Sequence, residues 1–168
     1  MKEFEALYRR HASAVFRFAW GLCGDRSQAE DIVSETFVRL MTRAPRIETR
    51  TALAYLLAIA RNVYLNGQRR RSREVPLPED LPAPLPDPLR RIHGEDRLAA
   101  TLHALRDLPE AERAALLLRV DHELRYEEVA AALGISVGAA KVRVHRARLR
   151  LLSALESKGG QHEARSHA

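Results

Sequence analysis

The chain has 168 residues, of which 46% are apolar, 30% are charged and 5% are aromatic. The apolar fraction excludes a chain that is disordered throughout, and the length fits one ordinary domain or two small ones. The 28 Lys and Arg residues exceed the 22 Asp and Glu residues by 6 charges, and this modest excess favours a polyanionic partner.

The cysteine and histidine content argues against disulfides and metal sites. A single cysteine, Cys23, cannot form an internal disulfide, and the 7 histidines lack the spacing of metal ligands. The sequence shows no leader and no apolar run of about 18 residues. We therefore expect a cytoplasmic protein that does not insert into membranes and that needs neither a metal nor another cofactor.

The first 73 residues predict three amphipathic helices. Apolar side chains repeat at intervals of three and four from Phe4 to Leu22, and this first helix is expected to end near Gly24. Ser27 and Glu30 predict a capping box for the second helix. Its buried stripe is predicted to be Val33, Phe37, Leu40 and Met41, with Pro45 closing it. A third helix is predicted from about Thr51 to Arg71, with the inner stripe Leu53, Leu56, Leu57, Ala60, Val63 and Tyr64.

Two polar patterns on these helices suggest binding. Asp31 and Glu35 are spaced i, i+4, which costs a few tenths of a kcal/mol and would be offset by a cationic partner. A solvated acidic face, partly neutralised by Arg39, explains the same spacing. On the third helix a mixed stripe fits single-stranded DNA, which is held by aromatic stacking beside a cationic track, although Tyr55 and Ile59 fit a core equally well. The stripe comprises Tyr55, Ile59, Asn62 and Asn66 and leads into Gln68, Arg69, Arg70 and Arg71.

Residues 74–94 predict a linker, because six of the eight prolines lie in VPLPEDLPAPLPDP. In a polyproline conformation this segment would span on the order of 60 Å. Further helices are predicted near 95–106 and 109–121, and residues 157–168 are predicted to form a frayed tail.

Residues 126–155 predict a helix-turn-helix. Gly134 supplies the left-handed residue that ends the first helix, and Ser136 can cap the second. One side of the second helix is apolar and is predicted to pack: Val137, Ala140, Val144, Ala147, Leu151 and Leu155. The other side is cationic and is predicted to read duplex DNA: Gly138, Lys141, Val142, His145, Arg146 and Leu149, flanked by Arg143, Arg148 and Arg150. A solvated cationic face is the alternative.

With both halves laid out, residues 3–155 resemble an extracytoplasmic-function sigma factor, the two-domain minimal class of bacterial RNA polymerase specificity subunit. The resemblance rests on four motifs, which are AEDIVSETFVRL (29–40), ALAYLLAIARNVYLNGQRRRSR (52–73), LPEAER (108–113) and LGISVGAAKVRVHRARLRLL (133–152). It implies an all-α fold of two small helical domains joined by a Pro-rich linker. Residues 1–73 are then region 2, residues 95–156 are region 4 with its helix-turn-helix, and no enzymatic activity is expected.

The resemblance also implies a role for each motif. Asp31, Ser34, Glu35 and Phe37 would bind core RNA polymerase, although Ser34 stands where Gln is common. The residues Tyr55, Arg61, Asn62, Asn66, Arg69, Arg70 and Arg71 would capture melted minus 10 DNA, with Tyr55 in place of the usual Trp. The residues Gly138, Lys141, Val142, Arg143, His145, Arg146 and Arg148 would read the minus 35 duplex, with Ala139 in place of Thr and Val142 in place of a small polar residue. An anti-sigma factor is an implied partner.

Two other functions are open to this sequence. A stand-alone repressor or activator would use the second domain for DNA and the first for dimerisation, but dimerisation does not require the amide and arginine stripe at 62–71. A recombinase or nuclease would need a nucleophile or clustered acidic ligands, and neither pattern is present in the sequence.

Overall fold

The computed structural model describes residues 1–43, 52–74 and 93–166, and within these ranges the chain is helical, with no strand. The helices are α1 (Lys2–Cys23), α2 (Arg26–Arg43), α3 (Ala52–Arg73), α4 (His93–Asp107), α5 (Glu110–Leu116), α6 (Tyr126–Leu133) and α7 (Val137–Ser166). A π-helical segment, Leu117–Asp121, follows α5 directly. The predicted all-α class is confirmed. None of the described helices combines the length and the apolar character that crossing a bilayer requires.

Helices α1 to α3 form a three-helix unit, which we call module 1. Helix α1 ends where Gly24 adopts the left-handed conformation, with φ 69°. The cap of α2 differs from the prediction. The Gln28 backbone N–H donates to the Asp25 carboxylate at 2.6 Å, and α2 begins at Arg26, so Asp25 takes the place expected for Ser27. A carboxylate there also complements the positive end of the helix dipole.

The core of module 1 follows the predicted stripes with two exceptions. Met41 is 54% exposed, and therefore does not belong to the buried stripe of α2. Ile59 is 7% exposed and belongs to the core of α3 instead of its DNA-facing stripe. Pro45, which was expected to close α2, lies outside the described residues, and α2 ends at Arg43.

Helices α4 to α7 form module 2. The predicted helix over 109–121 is in fact two segments, because the chain changes from α-helical to π-helical hydrogen bonding at Leu117. The π-helical segment ends at Asp121 and is capped by His122, whose N–H donates to the Leu117 carbonyl at 3.2 Å. Next comes Glu123 in the left-handed conformation, with φ 54°.

The helix-turn-helix is confirmed. Gly134 has φ 65°, and the Ser136 hydroxyl accepts from the Ala139 N–H at 3.1 Å. The apolar side of α7 packs as predicted, with Ala140, Val144 and Ala147 fully buried. The C-terminal prediction differs from the structure: α7 continues to Ser166, through the residues expected to form a frayed tail.

The two modules pack directly against each other. Phe18 of α1 meets His122 edge-to-face at 5.7 Å, and the side chain of Leu117 fills the space that a Cβ at Gly21 would need. Most of the buried apolar residues of both modules belong to one continuous apolar cluster. Most of the predicted linker, residues 75–92, lies outside the described residues, and the last two residues of the predicted segment, His93 and Gly94, belong to α4.

Candidate nucleic-acid and protein interfaces

The outer face of α7 is the strongest candidate for duplex DNA. Six predicted residues are exposed and Arg143 is half-buried. The exposed residues are Gly138, Lys141, Val142, His145, Arg146 and Arg148. Among the described residues none of the cations at positions 141, 143, 146 and 148 takes part in an ion pair, whereas Arg150 lies 3.0 Å from Glu112. The first four therefore keep their positive potential, while Arg150 is held by module 2.

The start of this face is ordered by an aromatic contact that the sequence analysis missed. The Tyr126 ring lies 5.7 Å from the Lys141 ammonium and 4.7 Å from the Arg119 guanidinium, both within cation–π range. Arg119 also donates to the Leu124 carbonyl at 3.0 Å. The only signal in the sequence was an aromatic residue at the start of α6, which periodicity assigns to the core.

On α3 the predicted stripe is split between surface and interior. Asn62 is exposed, as are Arg69, Arg70 and Arg71, and Asn66 is half-buried. Tyr55 is half-buried against the core, so only part of its ring can stack on a base.

Arg61 has a different environment from the rest of the stripe. Its guanidinium donates to both carboxylate oxygens of Glu110, each at 2.8 Å, across the boundary between the modules. Glu110 was not predictable as the partner of Arg61, because 49 residues separate the pair and no local pattern connects them.

A groove of about 380 Å³ lies between α2 and α3 and brings the acidic and basic candidates together. Asp31 and Glu35 line it from α2, and Asn66, Arg70 and Arg71 line it from α3. Arg71 donates to the Gln28 side-chain oxygen at 3.2 Å, which ties the two walls together.

The four residues predicted to bind core polymerase are not equally accessible. Asp31 is exposed and has no ion pair within the described residues, whereas Glu35 accepts from Arg39 at 2.7 Å. Ser34 is exposed, with its hydroxyl donating to the Glu30 carbonyl at 3.1 Å. Phe37 is 3% exposed, so its ring shapes the module from within and does not face a partner.

The described residues offer little for a metal or for thiol chemistry. In those ranges no three His, Cys, Asp or Glu side chains lie together as metal ligands would. Burial raises the pKa of the Cys23 thiol, whose Sγ donates to the Asp25 carbonyl at 3.2 Å, so the thiol remains protonated at neutral pH.

Comparisons with known proteins agree with this arrangement. The family models for Sigma-70 region 2 and Sigma-70 region 4 match residues 7–74 and 98–151. The sequence is 38% identical to the ECF RNA polymerase sigma factor SigE of Mycolicibacterium smegmatis over 157 residues, covering 90% of this chain and 61% of that relative. It is 33% identical to the ECF RNA polymerase sigma factor EcfG of Rhodopseudomonas palustris, covering 86% of this chain and 80% of the relative.

Two solved structures share the fold. The first is the sigma factor RpoE of Bartonella quintana in complex with the anti-sigma factor NepR, with a TM-score of 0.76 and 28% identity over 93% of this chain and 98% of that one. The second is CnrH in complex with the cytosolic domain of CnrY, with a TM-score of 0.66 and 25% identity over 93% of this chain and 89% of that one.

Proposed function

We propose that this chain, which belongs to the extracytoplasmic-function sigma factors, directs promoter-specific transcription initiation. In this proposal it binds core RNA polymerase, reads the minus 35 duplex and captures melted minus 10 DNA. The observation that carries the proposal is the outer face of α7. It presents four cations that form no ion pair with any described residue, on a helix-turn-helix, in a chain whose other module exposes an amide on α3. The chain spans 61% of the length of its SigE relative, so the proposal concerns the two modules described here.

Duplex recognition is assigned to α7. A helix of this kind enters the major groove and contacts base edges with side chains from its first turns. Lys141, His145 and Arg146 are exposed there and can reach guanine edges or phosphates. Val142 is 47% exposed and offers an apolar contact for a thymine methyl group.

Strand capture is assigned to the exposed part of α3. Asn62 can hydrogen-bond an unstacked base, because an amide offers both a donor and an acceptor. Arg69, Arg70 and Arg71 continue along the same helix, where they can follow the phosphates of a single strand. Capturing an unstacked base biases the duplex toward opening without any bond being broken.

Polymerase binding is assigned to the exposed acids of α2. Asp31 supplies a charge that is not neutralised by any described residue, and Glu35 shares its charge with Arg39. An acidic face of this kind suits a cationic surface on the core enzyme. The two structural relatives are complexes with an anti-sigma factor and with a cytosolic domain of a partner protein, and we extend an anti-sigma partner to this chain.

The packed arrangement of the modules has a consequence for this function. Arg61 is a predicted minus 10 contact, yet Glu110 of module 2 engages the Nε and Nη2 edge of its guanidinium. The modules must therefore separate, or at least shift, before this edge of Arg61 can contact DNA.

Run-off transcription with purified core polymerase and a promoter library tests the proposal. Wild type should initiate at a defined set of promoters. Asp31→Arg should lower the affinity for core polymerase at least tenfold, because it reverses an exposed charge. Asn62→Ala should leave polymerase binding intact and reduce permanganate-reactive open complexes. Glu156→Arg, an equal charge reversal at an exposed position on α7, is the matched control for polymerase binding.

Three outcomes would overturn parts of this assignment. If wild type directs no initiation and binds one duplex without polymerase, the chain is a stand-alone regulator. If Asp31→Arg and Glu156→Arg reduce core binding equally, α2 is not the docking face. If Asn62→Ala forms open complexes as wild type does, Asn62 does not capture DNA.

A further inference from the structure

His122 is a buried imidazole at the contact between the two modules. Its side chain is 1% exposed and lies at the end of the π-helical segment of module 2. The ring of Phe18, from α1 of module 1, meets it edge-to-face at 5.7 Å with an interplanar angle of 81°. Separating the modules would remove Phe18 and expose the imidazole to water.

Two charged groups face His122, one from each module. The Asp121 carboxylate lies 3.2 Å from the imidazole Nε2, but this contact lacks hydrogen-bond geometry and leaves Nε2 without a hydrogen-bond partner. Asp121 also lies 3.5 Å from the guanidinium of Arg17 on α1. The carboxylate is therefore shared between an arginine of the opposite module and the neighbouring histidine.

These surroundings disfavour a charged imidazole while the modules are packed. Burial lowers the pKa of His122 below its ordinary value of 6.5, Asp121 acts in the opposite direction, and Arg17 lowers the pKa further. A carboxylate already engaged by Arg17 compensates little of the cost of burying an imidazolium.

We propose that His122 is a proton-sensitive joint, at which protonation of the imidazole drives module 1 and module 2 apart. The packed form holds a neutral imidazole between Phe18, Asp121 and Arg17, whereas the separated form exposes the imidazole to water. Acidification therefore shifts the equilibrium toward the separated form.

The sign and size of the effect follow from linkage. Once the modules separate, the pKa of His122 returns toward 6.5, so the separated form binds a proton that the packed form rejects. The packing is fully favoured above that value, and it weakens as the pH falls toward the lowered pKa of the packed form. Because one proton is involved, the opening constant rises at most about tenfold per pH unit.

The joint bears on the proposed function, because opening would also free Arg61 from Glu110. Opening itself requires neither DNA nor polymerase, so its test is independent of that function.

Intramolecular energy transfer in the full-length chain measures opening directly. Donor and acceptor dyes are attached at Ser34→Cys in module 1 and Ser153→Cys in module 2, in a Cys23→Ser background; both serines are exposed. Between about pH 8 and pH 5.5 carboxylates stay ionised and histidines titrate. Transfer efficiency should fall on acidification, with constant helical circular dichroism. His122→Gln should show no such dependence.

Asp121→Asn and Arg17→Gln provide the decisive comparison. Both break the same ion pair, so any effect of losing that pair has the same sign in both variants. Their effects on His122 are opposite: removing the carboxylate disfavours the imidazolium, and removing the guanidinium favours it. Because opening is driven by the proton that the packed form rejects, the opening transition should lie at higher pH in Asp121→Asn than in Arg17→Gln.

His11 supplies the matched control, since it is also buried, its pKa is also lowered by burial, and it lies within module 1. His11→Gln should retain the transition. A midpoint in Arg17→Gln that is equal to or higher than the midpoint in Asp121→Asn would overturn the proposal. So would a transition that persists in His122→Gln, a loss of helical signal in step with the loss of transfer, or constant transfer in wild type across the range.

Discussion

Arg61 of α3 and Glu110 of α5 form a two-point ion pair that joins the modules. The guanidinium Nε and Nη2 atoms each donate to one carboxylate oxygen at 2.8 Å. The two side chains are 13% and 22% exposed, so solvent screens the pair less than it screens an ion pair on the open surface. This fork-to-fork geometry is the strongest arrangement available to an arginine and a carboxylate.

A double-mutant cycle should detect this coupling. We expect Arg61→Gln, Glu110→Gln and the double variant to give a coupling free energy of about 1–3 kcal/mol in urea unfolding, because the pair is two-pronged and mostly buried. The exposed pair of Arg9 and Glu5 is the control, with side chains 77% and 60% exposed. Its cycle should give no more than about 0.5 kcal/mol. Equal couplings in the two cycles would show that the inter-module pair contributes no more than a surface contact.

Most of the fold was predictable because it depends on local patterns. Apolar periodicity located the helices of both modules, and Gly24 and Gly134 marked two helix ends through their left-handed conformations. The change to π-helical bonding at Leu117 was not predictable, because it leaves the apolar pattern unbroken. The cap at Asp25 was missed because Ser27 and Glu30 offered a more familiar pattern two residues later.

The candidate site was predictable only where it lies on one helix. The exposed face of α7 follows from helical geometry alone, and so does the exposure of Asn62. The burial of Phe37 was predicted by the apolar stripe of the second helix, and it was only the family resemblance that implied a surface role for this residue. The partner of Arg61 depends on how two distant parts of the chain pack, and a single sequence carries no signal for such a contact.

Alanine substitutions at two glycines should separate backbone strain from helix propensity. A Cβ at Gly134 or at Gly67 would meet no atom within 4 Å, but only Gly134 has a positive φ, of 65°. Gly134→Ala should therefore lower the free energy of unfolding by about 1 kcal/mol. Gly67→Ala, inside α3, should raise it by up to about 1 kcal/mol. Thermal or urea unfolding measures both changes, and shifts of the same sign would contradict the assigned strain.

Glu123 offers a stabilising substitution. It is the one non-glycine residue in the described ranges with a positive φ, of 54°, in the turn before α6. Because the left-handed conformation costs a residue with a Cβ about 1–2 kcal/mol, Glu123→Gly should raise the free energy of unfolding by about 0.5–1 kcal/mol after the added chain entropy. Glu127→Gly makes the same change of charge within α6 and should lower it by about 1 kcal/mol. A Glu123→Gly variant no more stable than wild type would contradict this account.

Lys141→Ala should change how DNA binding depends on salt. Lys141 is exposed at the start of the cationic face of α7, within cation–π range of Tyr126. If it neutralises one phosphate, its loss should reduce the slope of log affinity against log salt by about 0.9, because one fewer counterion is released. Fluorescence anisotropy with one fixed duplex over a range of NaCl concentrations measures the slope. Lys158→Ala, an exposed lysine farther along α7, should leave the slope unchanged. If Lys141→Ala lowers the affinity but leaves the slope unchanged, Lys141 contacts a base edge and not a phosphate. If both variants change the slope equally, the overall charge of the protein sets the salt dependence, and the face of α7 does not.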